Sequence, residues 1–264
     1  MLFFHRTVLR AANGLLNLAV ILLLVTAGSY SAFALWDNER IYAAAGDVQA
    51  DMIKLKPEIV LEEEEKADFS QLLAINPDVC GWVTMDNTQI DYPILQGSSN
   101  FTYINTDVYG NFALAGSIFL DSRNGRDFSD TFSLLYGHHM ADSKMFGDLD
   151  LYKDPAFFRE NTTGTLILPD SAFNLEVAAC LLVDAGEDTI FEPHNWQAYN
   201  TSRYLKWIRN HSMHVNEDVL TQLENAEEPF RLLCLSTCSY EFTDARTIVL
   251  TVMRPYASEE IGGQ

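Results

Sequence analysis

Basic residues are scarce in this sequence of 264 residues, which has 17 Lys and Arg against 37 Asp and Glu and a formal net charge of −20. Nucleic-acid-binding proteins need basic patches that neutralise phosphates, so this composition argues against nucleic acid as a partner. It also disfavours attachment to anionic lipid through surface charge. Such a charge suits a protein that stays soluble at a crowded anionic surface.

Cysteine is rare as well, with four residues at Cys80, Cys180, Cys234 and Cys238. The last two are four residues apart on a predicted strand, which separates them by roughly 13 Å and prevents a disulfide between them. The wide spacing of the others gives neither a disulfide framework nor a zinc pattern. We predict no metal site, and we also expect no cofactor.

Charged residues are missing from one long stretch, Ala11–Trp36, whose centre at Leu18–Val25 contains no polar residue. About 20 apolar residues are enough to cross a bilayer as a helix. Arg6 and Arg10 precede the stretch and acidic residues follow it, so the positive-inside rule places the N-terminus inside and the remainder outside. We predict that residues 1–36 form a cytoplasmic tail and a single-pass membrane anchor.

A cleaved signal peptide is the alternative for this segment, because Ala32-Phe33-Ala34 fits a small-x-small cleavage site. Both alternatives export the rest of the chain. Residues 37–68 have a polar, helix-friendly composition, and we predict an extracellular helical or linker stalk there. The run Glu62–Glu65 within it is interpreted as a solvated helix face.

From Cys80 onwards, short apolar segments alternate with turns, a pattern typical of β-strands. The predicted strands are residues 81–85, 89–95, 116–120, 131–136, 165–168, 173–183, 230–238 and 247–253. Many short strands with few helices predict a mainly β protein built as a closed or nearly closed barrel.

Two helical patterns, residues 195–211 and 217–223, form an insertion before the strand that ends on Cys238. In the first of them Asn195 is a plausible cap, and aromatic residues that include Tyr199 share one face. A further helix is predicted over residues 143–152.

The strand Phe230–Cys238 ends on a cysteine, and Arg246 opens the next apolar run eight residues later. If the two strands pair as a hairpin, Cys238 and Arg246 share one rim of the sheet. A thiol near a guanidinium suggests covalent catalysis with charge stabilisation. A nucleophilic cysteine also needs a proton-transfer partner, and the best candidate is His138, where the apolar run that starts at Leu134 stops.

These segments resemble the sortases. Leu235-Ser236-Thr237-Cys238 followed by Arg246 resembles their Leu-x-Thr-Cys signature with its downstream Arg, and Tyr136-Gly137-His138 is similar to their catalytic histidine segment. Four further segments resemble class B sortases: residues 76–82 (NPDVCGW), 90–97 (IDYPILQG), 115–121 (AGSIFLD) and 145–149 (MFGDL). The match extends from about Phe69 to the C-terminus. Cys234 is a departure, since the family usually has Thr four positions before the nucleophile.

The resemblance implies that Cys238 is the nucleophile, that His138 exchanges the proton with the leaving and incoming amines, and that Arg246 holds the substrate backbone and the developing oxyanion. It also carries over five substrate-binding positions: Asn100, Ile104, Tyr136, Ser236 and Thr237. The motif selects His138 rather than the adjacent His139. The other three cysteines are interpreted as inert core thiols.

The resemblance implies a class B sortase of Gram-positive bacteria, with N-terminal helices and a sortase-type catalytic barrel over residues 69–264. Its activity would be that of a membrane-anchored cysteine transpeptidase, which cleaves a C-terminal sorting signal after Thr and joins the surface protein to a cell-wall amine. The expected partners are surface proteins with sorting signals, a peptidoglycan precursor or wall amine, and the membrane. The alternatives are a pilin-polymerising sortase, a secreted cysteine protease and a non-catalytic surface-binding domain. A papain-like protease would place its cysteine before its histidine, whereas here His138 comes first.

Overall fold

The structure, a computed structural model, describes four stretches of the chain: residues 2–59, 67–196, 200–238 and 244–256. At Cys238 it describes the backbone. Two predictions lie outside these stretches, the solvated helix face at Glu62–Glu65 and the helical position of Tyr199.

The first helix, α1 (Leu2–Ile53), continues without a break from the apolar segment into the segment predicted as a stalk. The chain forms two compact units, Met1–Ala44 and Ala45–Gln264, and the division falls within this helix. In the described part of the chain, α1 is the helix that is long and apolar enough to cross a membrane. Its length and composition are therefore compatible with the predicted single-pass anchor.

The second unit contains a sheet whose strands are β1 (Val79–Met85), β2 (Asp91–Leu95), β3 (Ile118–Leu120), β4 (Phe132–Gly137), β5 (Thr163–Leu168), β6 (Ser171–Asp184), β7 (Ser212–Val215), β8 (Arg231–Cys238) and β9 (Ala245–Pro255). Eight of these strands close a barrel in the order β5-β1-β2-β3-β4-β8-β9-β6, because β6 pairs with β5 as well as with β9. The remaining strand, β7, pairs with β6. The prediction of a mainly β protein with a closed barrel is confirmed.

Two neighbouring pairs in the barrel are parallel, β2 with β3 and β4 with β8. Parallel neighbours need long crossover connections, because the chain must return to the same end of the sheet. The connection from β2 to β3 is formed by residues 96–117, and the much longer one from β4 to β8 includes β5 to β7.

The shorter helices are α2 (Ser70–Ile75), α3 (Pro155–Glu160), α4 (Asp188–Phe191), α5 (Thr201–His211) and α6 (Glu217–Glu224), with 3₁₀ helices at Gly147–Lys153 and Pro193–Asn195. Helices α4 to α6 and strand β7 lie between β6 and β8, which confirms the predicted helical insertion. Leu205 of α5 and Leu220 of α6 are fully buried in one cluster with Cys234 of β8 and Leu250 of β9. The insertion therefore packs against the strand that ends on Cys238.

The first long helix of the insertion begins later than predicted, at Thr201 rather than at Asn195. Asn195 instead ends a 3₁₀ turn. The indole Nε1 of Trp196 donates to the carbonyl oxygen of Thr189 at 2.8 Å, and its ring stacks on Phe132 with centroids 4.6 Å apart. These core contacts keep Trp196 out of the helix, so the prediction of Asn195 as its cap is wrong.

The helix predicted over residues 143–152 is wrong in its first half. Ser143 and Met145 have positive φ angles of 57° and 52°, which a right-handed helix does not accommodate. Met145 forms a β-bridge with His139 instead, and helical structure starts with the 3₁₀ helix Gly147–Lys153.

The C-terminal end of α1 belongs to the same compact unit as the barrel. Met52 is 2% exposed and lies in a core cluster with Phe69 and Trp82. Just after the helix, the Nζ of Lys56 forms an ion pair with Asp91 at the start of β2, at 2.8 Å. The barrel core thus includes side chains that precede residue 69.

Candidate active site

Three strand ends meet at one rim of the barrel. The antiparallel register of β8 and β9 places Cys238 opposite Arg246. The parallel register of β4 and β8 places Gly137 beside Thr237, so the residue that follows β4, His138, lies at the same rim. The backbone therefore brings together the three residues that the resemblance identifies as catalytic. The thiol of Cys238 lies outside the described part of the structure.

A cleft of about 220 Å³ opens at this rim. Its lining residues are Asn100, Phe101, Ile104, Phe119, Tyr136, Gly137, His138, Ser236, Thr237 and Arg246. The structure thus gathers all five predicted substrate-binding residues around one cleft, together with His138 and Arg246. Sequence reasoning missed Phe101 and Phe119, and it gave no role to Gly137.

The imidazole of His138 is held by the connection between β2 and β3. Its Nε2 lies 2.7 Å from the carbonyl oxygen of Ile104. A carbonyl oxygen only accepts, so Nε2 carries the proton in this contact and Nδ1 is the other exchangeable position. Gly116 has φ +58° and no room for a Cβ, which would lie 2.4 Å from the same carbonyl oxygen. A glycine at 116 thus lets the connection fold closely behind Ile104.

Gly137 lies between two lining residues, Tyr136 and His138, at a position without room for a side chain. A Cβ at this position would lie 2.5 Å from Ile118 and 2.7 Å from the ring of Phe146. A larger residue would force the side chains of Ile118 and Phe146 to move. The Tyr-Gly-His motif was the signal in the sequence, but the contacts that require the glycine come from distant parts of the chain.

The adjacent histidine, His139, has a different environment from His138. Its Nε2 lies 3.1 Å from a carboxylate oxygen of Asp150. Asp150 also forms an ion pair with the Nζ of Lys153 at 2.8 Å and accepts a hydrogen bond from the hydroxyl of Thr247 at 2.9 Å. Burial would raise the pKa of Asp150, but these three hydrogen bonds outweigh it and lower the pKa to about 2. The cluster ties the 3₁₀ helix to β9 next to Arg246.

Two hydroxyl groups of the cleft have no partner within the part of the chain that the structure describes. Ser236 and Thr237 are 1% and 2% exposed, and their side-chain oxygens have no hydrogen-bond partner among the described residues. Leaving such a buried group unpaired costs about 1–3 kcal/mol. A ligand that paired with these hydroxyls would remove that cost.

The other three cysteines are buried free thiols, as predicted. Burial raises the pKa of Cys80 and of Cys180 to about 12, and it also raises the pKa of Cys234. A thiol of this kind carries almost no thiolate at neutral pH, so none of the three is a competent nucleophile. Among the described residues, no three His, Cys, Asp or Glu side chains are placed to share a metal ion.

Comparison with known proteins identifies the family. No protein-family model matches the chain. Sortase B of Staphylococcus aureus is 30% identical over 194 residues, which cover 72% of this chain and 75% of the relative. A crystal structure of a Streptococcus pyogenes class B sortase involved in pilus biogenesis is 36% identical with a TM-score of 0.64, and the match covers 71% of this chain and 98% of that one.

A Staphylococcus aureus sortase B–substrate complex is also similar, at 26% identity and a TM-score of 0.61, covering 72% of this chain and 85% of that chain. The barrel and the relatives together define a cysteine transpeptidase of the sortase type. Within that type, the chain belongs to the class B sortases.

Proposed function

We propose that Cys238, His138 and Arg246 form the catalytic centre of this sortase. The observation that carries the proposal is the shared rim, where the β4–β8 and β8–β9 registers bring the three backbone positions beside one cleft. The thiolate of Cys238 attacks the carbonyl carbon of a Thr in the sorting signal. The carbon–sulfur bond forms as the carbonyl becomes an oxyanion, which the guanidinium of Arg246 stabilises.

His138 moves the protons of both half-reactions. When the oxyanion collapses, the peptide bond breaks and the imidazolium protonates the departing amine, which leaves a thioester on Cys238. The incoming amine then attacks the thioester, loses its proton to the neutral imidazole, and releases the thiolate. Because the Nε2–H of His138 is held by Ile104, we assign this exchange to Nδ1.

The cleft recognises the sorting signal through polar, aliphatic and aromatic side chains in its wall. Asn100, Ile104, Tyr136, Ser236 and Thr237 are the proposed substrate contacts, and all of them line the cleft. A bound peptide pairs with the hydroxyls of Ser236 and Thr237, which have no partner among the described residues. The class B relationship favours an Asn-Pro-x-Thr-like or related Pro-x-Thr signal, cleaved after Thr.

The acceptor is an amine of the cell wall. We propose that residues 1–36 hold the protein in the membrane and that the catalytic unit lies outside the cell. Residues 37–68 connect the membrane anchor to the catalytic unit. Tethering at the outer leaflet raises the effective concentration of amine-bearing wall precursors. A site that positions such an amine outcompetes water.

Mass spectrometry of a sorting-peptide panel, with and without oligoglycine and stem-peptide amines, tests this reaction. We expect slow hydrolysis of the peptide alone and a ligated product when an amine is added. The Cys238→Ala variant should give neither product. Rapid turnover to the free acid with every amine tested would establish a protease instead.

A pilin-polymerising sortase is the second candidate, because the similar Streptococcus pyogenes enzyme is involved in pilus biogenesis. The chemistry on Cys238 is the same, and the acceptor becomes a lysine side chain of a folded pilin. Adding lysine-containing peptides or a purified pilin to the same assay separates the two. Preference for the lysine acceptor over wall amines would favour the second candidate.

A further inference from the structure

A buried carboxylate lies behind the wall of the cleft. Asp121 follows β3 directly and is fully buried. Its oxygens accept hydrogen bonds of 2.8 to 3.0 Å from the backbone N, Nε and Nη2 of Arg123, the Nδ2 of Asn100 and the hydroxyl of Tyr136. Two of these donors belong to side chains that line the cleft, whereas Asp121 itself does not line it.

The contact with Asp121 determines what Tyr136 offers to the cleft. A phenol has one proton, and Tyr136 donates it to Asp121 at 3.0 Å. Its oxygen is therefore left as a hydrogen-bond acceptor. The ring is held between Phe119 and Phe191, with centroids 5.3 and 6.4 Å away. Burial and the charge of Asp121 both raise the pKa of Tyr136, so the phenol keeps its proton.

Asp121 also fixes the amide of Asn100. The Nδ2 of Asn100 donates to Asp121 at 2.9 Å, and its Oδ1 accepts from the backbone N of Ser122 at 2.7 Å. With both ends engaged, the amide cannot flip. One N–H and one lone pair of this side chain remain for a ligand.

Arg123 keeps the carboxylate charged and also binds Phe191 and Glu192. Burial would raise the pKa of Asp121, but the hydrogen bonds from Arg123 and Asn100 outweigh it and lower the pKa. Nη2 of Arg123 also donates to the carbonyl oxygen of Phe191 at 2.7 Å, and Nη1 pairs with Glu192 at 2.7 Å. This clamp holds Phe191 against the ring of Tyr136.

We propose that Asp121 is a positioning residue for the sorting signal: by accepting the hydrogen bond of the Tyr136 hydroxyl, it leaves that oxygen as an acceptor for an N–H of the bound peptide. The inference rests on the proposed function of the cleft. In the proposed contact, a backbone N–H of the substrate is the hydrogen-bond donor and the hydroxyl oxygen of Tyr136 is the acceptor. Asp121 acts through Tyr136 and Asn100 and does not touch the peptide.

The test uses the full chain in detergent and sorting peptides that are each N-methylated at one backbone amide. We expect wild-type protein to lose about tenfold to a hundredfold in kcat/KM for methylation at one particular amide, the range for one unpaired buried partner. This penalty should disappear in Tyr136→Phe and in Asp121→Asn, where an asparagine amide can donate to the phenol and let it point its own proton at the peptide.

The effects of Tyr136→Phe and Asp121→Asn should also be similar and non-additive. Each should raise KM for the unmodified peptide and leave the rate of thioester cleavage by hydroxylamine near the wild-type value. The double variant should be no worse than Tyr136→Phe alone, because both changes remove the same contact.

Asp130→Asn is the matched control. Asp130 is a carboxylate on the same β3–β4 connection, accepting from Asn124 at 2.9 Å and from Gly125 at 2.7 Å, and it does not line the cleft. Its loss should lower the melting temperature and leave kcat/KM and the methylation penalty unchanged.

A methylation penalty that persists in Tyr136→Phe would overturn the inference, even if Asp121→Asn fails to fold. Wild-type kcat/KM in a folded Asp121→Asn variant, or additive losses in the double variant, would also overturn it while the proposed function stood. Peptides that the wild-type chain neither binds nor cleaves would instead remove the proposed function, and this inference with it.

Discussion

At the scale of single residues, two adjacent histidines have separate partners. The ring of His138 lines the cleft and contacts the carbonyl of Ile104, whereas His139 pairs with Asp150. The turn that Met145 closes by bridging His139 separates the two environments. This arrangement supports His138 as the proton carrier and gives His139 a role in holding the 3₁₀ helix.

The two histidines therefore form a matched pair for mutagenesis. His138→Ala should abolish transpeptidation, because His138 is the proposed proton carrier of both half-reactions. His139→Ala should keep turnover near the wild-type rate and lower the free energy of unfolding, since Asp150 loses a partner. Equal activity losses in both variants, measured with a sorting peptide and an amine, would contradict the assignment.

The cysteine and arginine positions allow a graded comparison. Cys238→Ala should abolish thioester formation, and Arg246→Ala should reduce kcat by roughly 10²-fold or more, the scale of removing one oxyanion donor. Cys234→Ala should retain the chemistry and lose packing stability, because Cys234 is fully buried. Mass spectrometry of the trapped thioester and urea unfolding measure the two effects. Full activity of Cys238→Ala would refute the catalytic assignment.

Asp150 makes the free energy of unfolding depend on pH in the acid range. Its pKa falls from an ordinary value of 3.8 to about 2 in the folded chain. The resulting stabilisation, on the order of 2 kcal/mol, is complete above about pH 5 and is lost as the pH falls from about 4 to about 2. In Asp150→Asn, the free energy of unfolding should change less over that range. Identical pH profiles by urea unfolding would show that the cluster contributes nothing.

The sequence predicted single residues where a motif carried them. Cys238, His138 and Arg246 were predicted from strand ends and from the sortase signature, and the substrate positions were predicted from the resemblance. Phe119 and Asp121 lie inside a recognised class B segment, yet the segment carried no role for either of them. Their contacts with Tyr136 depend on how β3 pairs with β4, which a linear pattern does not reveal.

At the scale of elements, long apolar strands were predicted well and marginal ones were not. β8 is buried from Leu232 to Thr237, and such a continuous apolar run is a clear strand signal. β7 (Ser212–Val215) was missed because it is short, half-exposed and rich in polar residues. It becomes a strand only because β6 lies beside it.

The end of α1 leads to a prediction about fragments of the protein. Met52 is buried in the barrel core, and Val48, Leu55 and Ile59 pack against the same cluster. Burying one such side chain is worth about 1.5–3 kcal/mol. A fragment of residues 45–264 should therefore unfold at a clearly higher urea concentration than a fragment of residues 69–264.

Met52→Ala in the longer fragment is the control for this comparison. It should lose about 2–5 kcal/mol, the usual cost of such a truncation in a core. Equal unfolding midpoints for the two fragments would show that the segment before residue 69 adds no stability.

At the scale of the whole molecule, the acidic net charge and the apolar N-terminal segment both bear on where the protein is located. The net charge of −20 for the whole chain disfavours attachment to anionic surfaces, so we expect a membrane anchor to be the apolar helix rather than a basic patch. α1 is compatible with that task by length and composition. The asymmetry of Arg6 and Arg10 before the apolar stretch then favours export of everything that follows.

Topology is tested in intact cells from which the wall has been removed. Protease added from outside should digest residues 69–264 and leave the N-terminal segment protected, because the bilayer shields it. A cytoplasmic marker protein must stay intact in the same sample, which shows that the membrane is sealed. Recovery of a soluble chain that starts at Leu35 would indicate cleavage after Ala34 instead of a retained anchor. Complete protection of residues 69–264 beside a digested external control would contradict export, and no wall amine could then be the acceptor.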